Sequence, residues 1–325
     1  MFKFFTNSGF KAGMLVFMMF TFSGCAVFQL GPSMAPFKEK VLMGTGSEKI
    51  LLLDIQGIIS NSDKKSLTGS TIKMGMVEEV REVLMKAEED ENIKALLLRI
   101  NSPGGTVTSS DIIYHEIKSF KKRKNVRVYV SVVDMAASGG YYIAMAGDTI
   151  VGHPTSLTGS IGVIAVKVNV EGLLHKVGVD WEVVKSGEKK DFLSPLRPLT
   201  DEERKLFQFT IDSFHNRFVG IIAENRHNLE LAKVAILADG RVYNAEQALE
   251  AGLIDKIGYL DDTVSLIKED LHLSDPKVVT YHRPGEYKSN LYSSIPAPAT
   301  INLLNIDLGL NLPAASPHFM YLWMP

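Results

Sequence analysis

The sequence predicts an α/β fold, a mostly parallel sheet covered by helices on both faces. Three observations predict it. Apolar runs at 50–55, 95–100 and 126–133 are almost unbroken, as strands buried on both sides must be. Segments of helical periodicity separate them. Turns rich in glycine and serine follow the second and third runs, so the chain alternates strand, turn and helix.

The first 37 residues stand apart from that pattern. Lys3 and Lys11 are the only charged side chains there, and 12–22 is an apolar run. This is the charged start and apolar stretch of an export signal. It ends in Phe22-Ser23-Gly24-Cys25, and Cys25 is the only cysteine in the chain. Small residues before a lone cysteine resemble a bacterial lipoprotein signal, in which the cysteine carries lipid after cleavage. Residues 12–30 also read as a membrane helix, being close to the ~20 residues that span a bilayer. A conventionally cleaved signal peptide is the third reading. Each places the body of the protein outside the cytoplasm, in a bacterial envelope. The expected division is an export signal at 1–25, a linker at 26–48, a globular domain at 49–275 and a C-terminal segment at 276–325.

Within the domain, 50–55 is a buried strand that ends at Gly57. Val77, Val80, Leu84 and Ala87 form one face of a helix. The strand at 95–100 runs into Asn101-Ser102-Pro103-Gly104-Gly105, a turn by composition. A helix over 109–123 turns Ile112, Ile113, Ile117 and Phe120 inward. The strand at 126–133 leads to Met135-Ala136-Ala137-Ser138-Gly139-Gly140-Tyr141-Tyr142, and 142–146 reads as a short helix. Residues 149–152 form a short strand. Residues 157–164 form a glycine-rich loop entering another strand. The alternation in 180–185 predicts a strand. Thr200-Asp201-Glu202-Glu203 is a capping box that opens a long helix. Its stripe of Phe207, Ile211, Phe214, Phe218 and Ile221 has the spacing of core packing. Helices follow at 231–237 and 245–251. From 290 onward the only charged residue is Asp307. So apolar a segment packs on its own or a neighbouring subunit, or acts as an autoinhibitory or membrane-contacting strip.

Composition excludes several functions. The net charge of −2 leaves no basis for nucleic-acid binding. No metal or cofactor motif is present. What remains is Ser138, at a strand-to-helix turn crowded by small residues. Such a turn exposes a nucleophile at a sheet edge. The same stretch also reads as a helix start capped by Ser138. A serine nucleophile needs a base within hydrogen-bond reach. His115 lies on a helix face and His153 precedes Pro154, so neither is obviously placed. Lysine is the alternative once burial holds it neutral. Lys185, Lys189 and Lys190 cluster after 180–185, although such a cluster also reads as a solvated charge run. The glycine turn after 95–100 could supply half of an oxyanion hole, with the N–H of Gly139 as the other half. It also reads as a plain connection.

Five motifs in order resemble the signal peptide peptidase A family (SppA, protease IV). They are Asn101-Ser102-Pro103-Gly104-Gly105, Met135 to Tyr142, Leu157-Thr158-Gly159-Ser160-Ile161-Gly162-Val163, Lys185-Ser186-Gly187 through Lys190-Asp191 to Ser194-Pro195, and Ala238-Asp239-Gly240-Arg241-Val242-Tyr243. The length is similar to the short, single-unit form. The resemblance implies the fold shared by Clp protease and crotonase, a superhelix of ββα units around the sheet. It implies a serine endopeptidase without cofactor or metal. Ser138 is then the nucleophile, Lys190 the general base and Ser160 the hydroxyl that orients the lysine amine. Gly105 and Gly139 are the oxyanion donors. It also implies peptide substrates such as spent signal peptides, a bacterial membrane, and a homo-oligomer that completes the dyad between subunits. An extended substrate is expected to pair with the chain after Ser160, and the small residues around Ser138 suggest shallow apolar pockets. An idle scaffold and a crotonase-like acyl-CoA enzyme are the alternatives.

Overall fold

The computed structural model describes residues 36–62, 64–65, 71–283, 290–292 and 319–324. Cys25, the export signal and the alternative membrane helix at 12–30 lie outside the described residues. Among the described residues, no helix is long and apolar enough to cross a membrane.

In chain order the strands are β1 (Lys38–Met43), β2 (Lys49–Gln56), β3 (Lys64–Lys65), β4 (Thr71–Lys73), β5 (Ile93–Ser102), β6 (Gly104–Thr106), β7 (Arg127–Ala137), β8 (Thr149–Gly152), β9 (Leu157–Gly159), β10 (Val242–Asn244), β11 (Lys256–Ile257), β12 (Lys277–His282) and β13 (Met320–Leu322). The helices are α1 (Met76–Glu88), α2 (Val107–Lys124), α3 (Gly139–Ala144), α4 (Glu171–Lys176), α5 (Asp201–Asn225), α6 (Leu231–Leu237), α7 (Ala245–Glu250) and α8 (Leu260–Asp270). The main sheet runs β1-β12-β2-β5-β7-β8-β11, with β9 joined to the far end of β7 and β10 to β9. The pairs from β12 through β11 are parallel, and β1 is antiparallel to β12.

The apolar runs are central strands for the expected reason. Ile50 through Leu53, Ala95 through Leu98 and Val128 through Val130 are buried on both faces of the sheet. Helix α1 buries Val80, Val83, Leu84 and Ala87, and α2 buries Ile113, Ile117 and Phe120. Thr106 caps α2 through its side chain, and Thr200 with Glu203 forms a complete capping box on α5.

Several expectations need correcting. Lys38–Met43, read as linker, is the antiparallel edge strand of the sheet, and β12 carries the sheet past residue 275. The charged, exposed Lys38, Glu39 and Lys40 disguised an edge strand, where one row of side chains faces water. Residues 180–185 form no strand. Val183 and Val184 are exposed, so the alternation there reports no buried face within the chain. Residues 157–164, read as a loop entering another strand, instead begin with the short strand β9, which ends at Gly159 where Gly159 and Ser160 both have positive φ. The helix expected at 142–146 begins instead at Gly139.

Candidate active site

Strand β7 delivers Ser138. Its register switches partners near its end, from β8 at 129–132 to β9 at Met135, Ala136 and Ala137. The last β9 pair is Ala137 with Gly159, so Ser138 and Ser160 leave two neighbouring strands side by side. The turn is locked by backbone: the Ser138 N–H donates to the Gly159 carbonyl (2.7 Å), and the Ser160 N–H donates to the Arg241 carbonyl (2.7 Å). Both serines have positive φ, 52° and 48°, a conformation that costs an L-residue about 1–3 kcal/mol.

Ser138 is 1% exposed. Its side chain makes no capping hydrogen bond to α3, which removes the reading of Ser138 as a helix cap. Its Oγ is buried with no hydrogen-bond partner among the described residues. Buried hydroxyls are normally paired, so an orphaned one on a strained turn needs an explanation.

The glycine turn packs against this serine. Gly104 has φ +106°, and a methyl placed on it would overlap the Tyr321 carbonyl oxygen and lie 2.9 Å from the Gly139 nitrogen. A methyl on Gly139 would lie 3.1 Å from both the Gly105 nitrogen and the Tyr321 oxygen. The Gly105 and Gly139 nitrogens therefore border one small space. The turn is pinned from outside. Ile59 donates to the Gly104 carbonyl and accepts from the Thr106 N–H (2.9 Å each), and Ser102 Oγ accepts from the Gly104 N–H (3.1 Å).

The opposite edge of β6 holds β13, in antiparallel register with Gly105 opposite Tyr321. Met320 makes two further bonds: its N–H donates to the Ile164 carbonyl and its carbonyl accepts from the Ile164 N–H (2.9 Å each). Residues 319–322 thus lie as an extended strand between β6 and the chain after Ser160. The Tyr321 ring is fully buried, stacked on Tyr142 (5.1 Å between centroids) and packed on Phe218 (4.8 Å). Its hydroxyl donates to the Phe214 carbonyl (2.8 Å). Phe319 packs on Phe207 and Phe214. Three of the five residues in the α5 stripe, Phe207, Phe214 and Phe218, thus have residues 319–321 as their partner. The side chains that surround Tyr321 are aromatic rings from α3 and α5.

Lys190 stands elsewhere in the chain's surface. It lies on a 3-10 turn, Glu188–Asp191, and is exposed. The structure separates the three lysines of the cluster. Lys185 pairs with Asp191 (2.7 Å) and Lys189 with Glu202 (2.7 Å), whereas Lys190 has no ion pair among the described residues. Arg197 fixes this turn to the start of α5 by bridging Asp191 (2.8 Å) and Glu203 (2.7 Å). Hydrogen bonds from Arg197 and then Lys185 hold the Asp191 carboxyl far below the usual carboxylate range. Those from Arg197 and the Thr200 N–H bring Glu203 down to about 2. The region from 166 to 184 exposes Val166, Val168, Leu173, Val177, Val179, Val183 and Val184, the last at 93%.

Three contributions escaped the sequence. Arg241 holds Ser160 through its backbone carbonyl, a role invisible to side-chain reasoning. Tyr243 packs where a Gly159 side chain would stand, with Cδ2 2.6 Å from an added Cβ, which explains the glycine before Ser160. Tyr142, Phe214 and Phe218 meet only through folding, although Tyr142 lay inside a quoted motif.

Comparison with known proteins gives the family of the chain. Residues 120–274 match the model of peptidase family S49, and 53–156 match that of Clp protease. The chain is 37% identical over 244 residues to a protein of Enterococcus faecium whose name assigns it to signal peptide peptidase SppA, covering 75% of this chain and 70% of that one. It is 33% identical over 219 residues to Protease 4 of Haemophilus influenzae, covering 67% of this chain and 34% of the other. A ClpP1 mutant of Listeria monocytogenes is 18% identical with a TM-score of 0.42, over 67% of this chain and 95% of that one.

Proposed function

The chain belongs to peptidase family S49 and is a serine peptidase with the Clp/crotonase-like α/β fold, and on that premise we propose that Ser138 and Lys190 form its catalytic dyad. The observation that carries this reading is the buried, unpartnered Ser138 Oγ beside the space bordered by the Gly105 and Gly139 nitrogens. Ser138 attacks a peptide carbonyl whose oxygen enters that space. The two N–H groups stabilise the negative charge that develops there. Lys190 takes the serine proton and returns it to the leaving amine, and water then releases the acyl group. Ser160, leaving β9 beside Ser138, orients the lysine amine.

Within one chain Lys190 is exposed, while Ser138 Oγ is buried and has no partner among the described residues. The dyad is therefore completed between copies. The apolar side chains exposed over 166–184 supply a surface that a second copy would cover, burying Lys190 with them. The protein works as a membrane-tethered homo-oligomer on the outer side of the cytoplasmic boundary, held through a lipidated Cys25 or an N-terminal helix. It cleaves exported or membrane-associated peptides, spent signal peptides among them.

Separate Ser138→Ala and Lys190→Ala variants, assayed against a peptide library, test the dyad. Each is expected to lose hydrolysis by at least about 10³-fold, as removal of a nucleophile or its base does. Activity that survives either change refutes it.

A further inference from the structure

Strands β2 and β5 pair in parallel as far as Gln56 and Asn101, and parallel pairing resumes at Ile59 and Gly105. Between these points Gly57 and Ile58 lie opposite three residues, Ser102, Pro103 and Gly104. The Gly57 N–H still donates to the Asn101 carbonyl (2.9 Å). In a parallel ladder the next bond runs from the N–H of residue 103 to the Gly57 carbonyl. Residue 103 is proline and has no N–H to give. The Ser102 hydroxyl stands in for it: Oγ donates to the Gly57 carbonyl (2.7 Å) and accepts from the Gly104 N–H (3.1 Å). Beyond it, Ile59 donates to the Gly104 carbonyl and accepts from the Thr106 N–H (2.9 Å each). Of these five bonds, only the two at Ser102 use a side chain, and Ser102 is fully buried.

This series of bonds reaches the Gly105 donor through one peptide unit. The 104–105 peptide is planar, so the Gly105 N–H points opposite to the Gly104 carbonyl. With that carbonyl held by Ile59, the N–H is turned away from Ile59, toward the space that the Gly139 nitrogen also borders. Gly104 offers little resistance of its own to a flip of this peptide, because at φ +106° it sits in a region that glycine enters and leaves freely. It is held by one bond on each side, its N–H on Ser102 Oγ and its carbonyl on the Ile59 N–H. Without Ser102 Oγ, the buried Gly104 loses its N–H partner, and the Gly57 carbonyl loses the donor that Pro103 cannot replace. A backbone N–H at residue 103 could satisfy Gly57 but, being a donor only, could not also hold Gly104; a hydroxyl does both.

We propose that Ser102 is the positioning residue of the oxyanion hole: its hydroxyl replaces the N–H that Pro103 lacks and so fixes the direction of the Gly105 donor. The inference rests on Ser138 as the nucleophile and Gly105 as an oxyanion donor.

The test uses the full-length protein, Ser102→Ala, and the pair Ser102→Thr and Ser102→Val, which match in shape and differ in the hydroxyl. For each, kcat and KM are measured on a fluorogenic peptide, with the affinities of a peptide aldehyde and of the matching peptide alcohol. Ser138 Oγ adds to the aldehyde carbon and places an oxyanion in the hole, whereas the alcohol fills the same cleft and forms no adduct. Ser102→Ala is expected to lower kcat and aldehyde affinity together, by at least about tenfold, below the 10²–10³ that outright loss of a donor costs. KM and alcohol affinity are expected to stay within about twofold of wild type. The kcat of Ser102→Thr is expected to exceed that of Ser102→Val by at least about tenfold. Wild-type kcat in Ser102→Ala overturns the inference, and so does an equal loss of aldehyde and alcohol affinity, which assigns Ser102 to packing alone; both leave the dyad standing. Where Ser102→Ala does not fold, the Thr and Val pair decides, and equal kcat in the two overturns the inference. No Ser138-dependent hydrolysis by the wild-type chain overturns the dyad and the inference together.

Discussion

Replacing Gly104 by alanine tests the oxyanion geometry without touching Ser138 or Lys190. Two effects follow from the structure. Gly104 has φ +106°, so an L-side chain adds backbone strain of about 1–3 kcal/mol. The added methyl also lies 2.9 Å from the Gly139 nitrogen, in the space that the substrate oxygen must enter. A carbon there blocks the approach to both donors. Loss of one such donor costs about 10²–10³ in kcat, so kcat/KM on a fluorogenic peptide should fall by at least about 10²-fold. Stability should fall by this strain, a few degrees in Tm for a domain of this size, and by the packing that residues 319–324 lose. The overlap with the Tyr321 oxygen should also drive residues 319–324 out of the cleft, exposing them to hydrogen exchange. A loss of activity smaller than about tenfold, in a variant that folds, would refute the assignment of this space as the oxyanion hole.

Two further outcomes are expected. In subunits held apart by dilution, Ser138→Ala should raise Tm by a few degrees, because it removes a buried hydroxyl without a partner that costs about 1–3 kcal/mol; a fall in Tm would contradict the orphaned state of Oγ. The Arg197 network should give the Lys190 turn an acid limit. Glu203 titrates at about 2 in the folded chain against an ordinary 4.5, so its contribution is whole above 4.5 and is lost as pH falls to about 2. Limited proteolysis over 185–200 should begin within that window for wild type and already at neutral pH for Arg197→Ala. Equal resistance of the two proteins at neutral pH would show that Arg197 does not hold the turn.

The parts of this molecule that were legible in the sequence are those whose signal is local. The strands β2, β5 and β7 announced themselves because burial on both faces demands continuous apolar runs. The capping box at Thr200 fixed the start of α5 to the residue. The Ser138 turn could be found by composition, but composition alone could not decide between a nucleophile and a helix cap. Only the strained φ and the unpartnered Oγ separate the two. Choosing Lys190 over Lys189 depended on motif resemblance; in the structure Lys189 is committed to Glu202, whereas Lys190 has no ion pair among the described residues.

What stayed hidden is non-local. The aromatic pocket joins Tyr142 to Phe214 and Phe218, more than seventy residues further on. The stripe on α5 looked like ordinary core because periodicity shows that a face is covered and not what covers it. Phe207, Phe214 and Phe218 prove to be covered by residues 319–321, from the segment expected to pack on its own or a neighbouring subunit or to act as an autoinhibitory or membrane-contacting strip. The alternation at 180–185 misled because it reports no buried face: Val183 and Val184 are exposed within one chain.

The central claim is that Ser138 of one copy is served by Lys190 of another, and subunit mixing tests it most directly. Ser138→Ala and Lys190→Ala proteins, each inactive alone, are dissociated, combined in equal amounts and allowed to reassemble. Random mixing in a closed ring pairs an intact serine with a neighbour's intact lysine at about a quarter of the sites. Recovery of about a quarter of wild-type activity is the predicted result. A mixture that demonstrably exchanges subunits and stays inactive would contradict a dyad shared between copies.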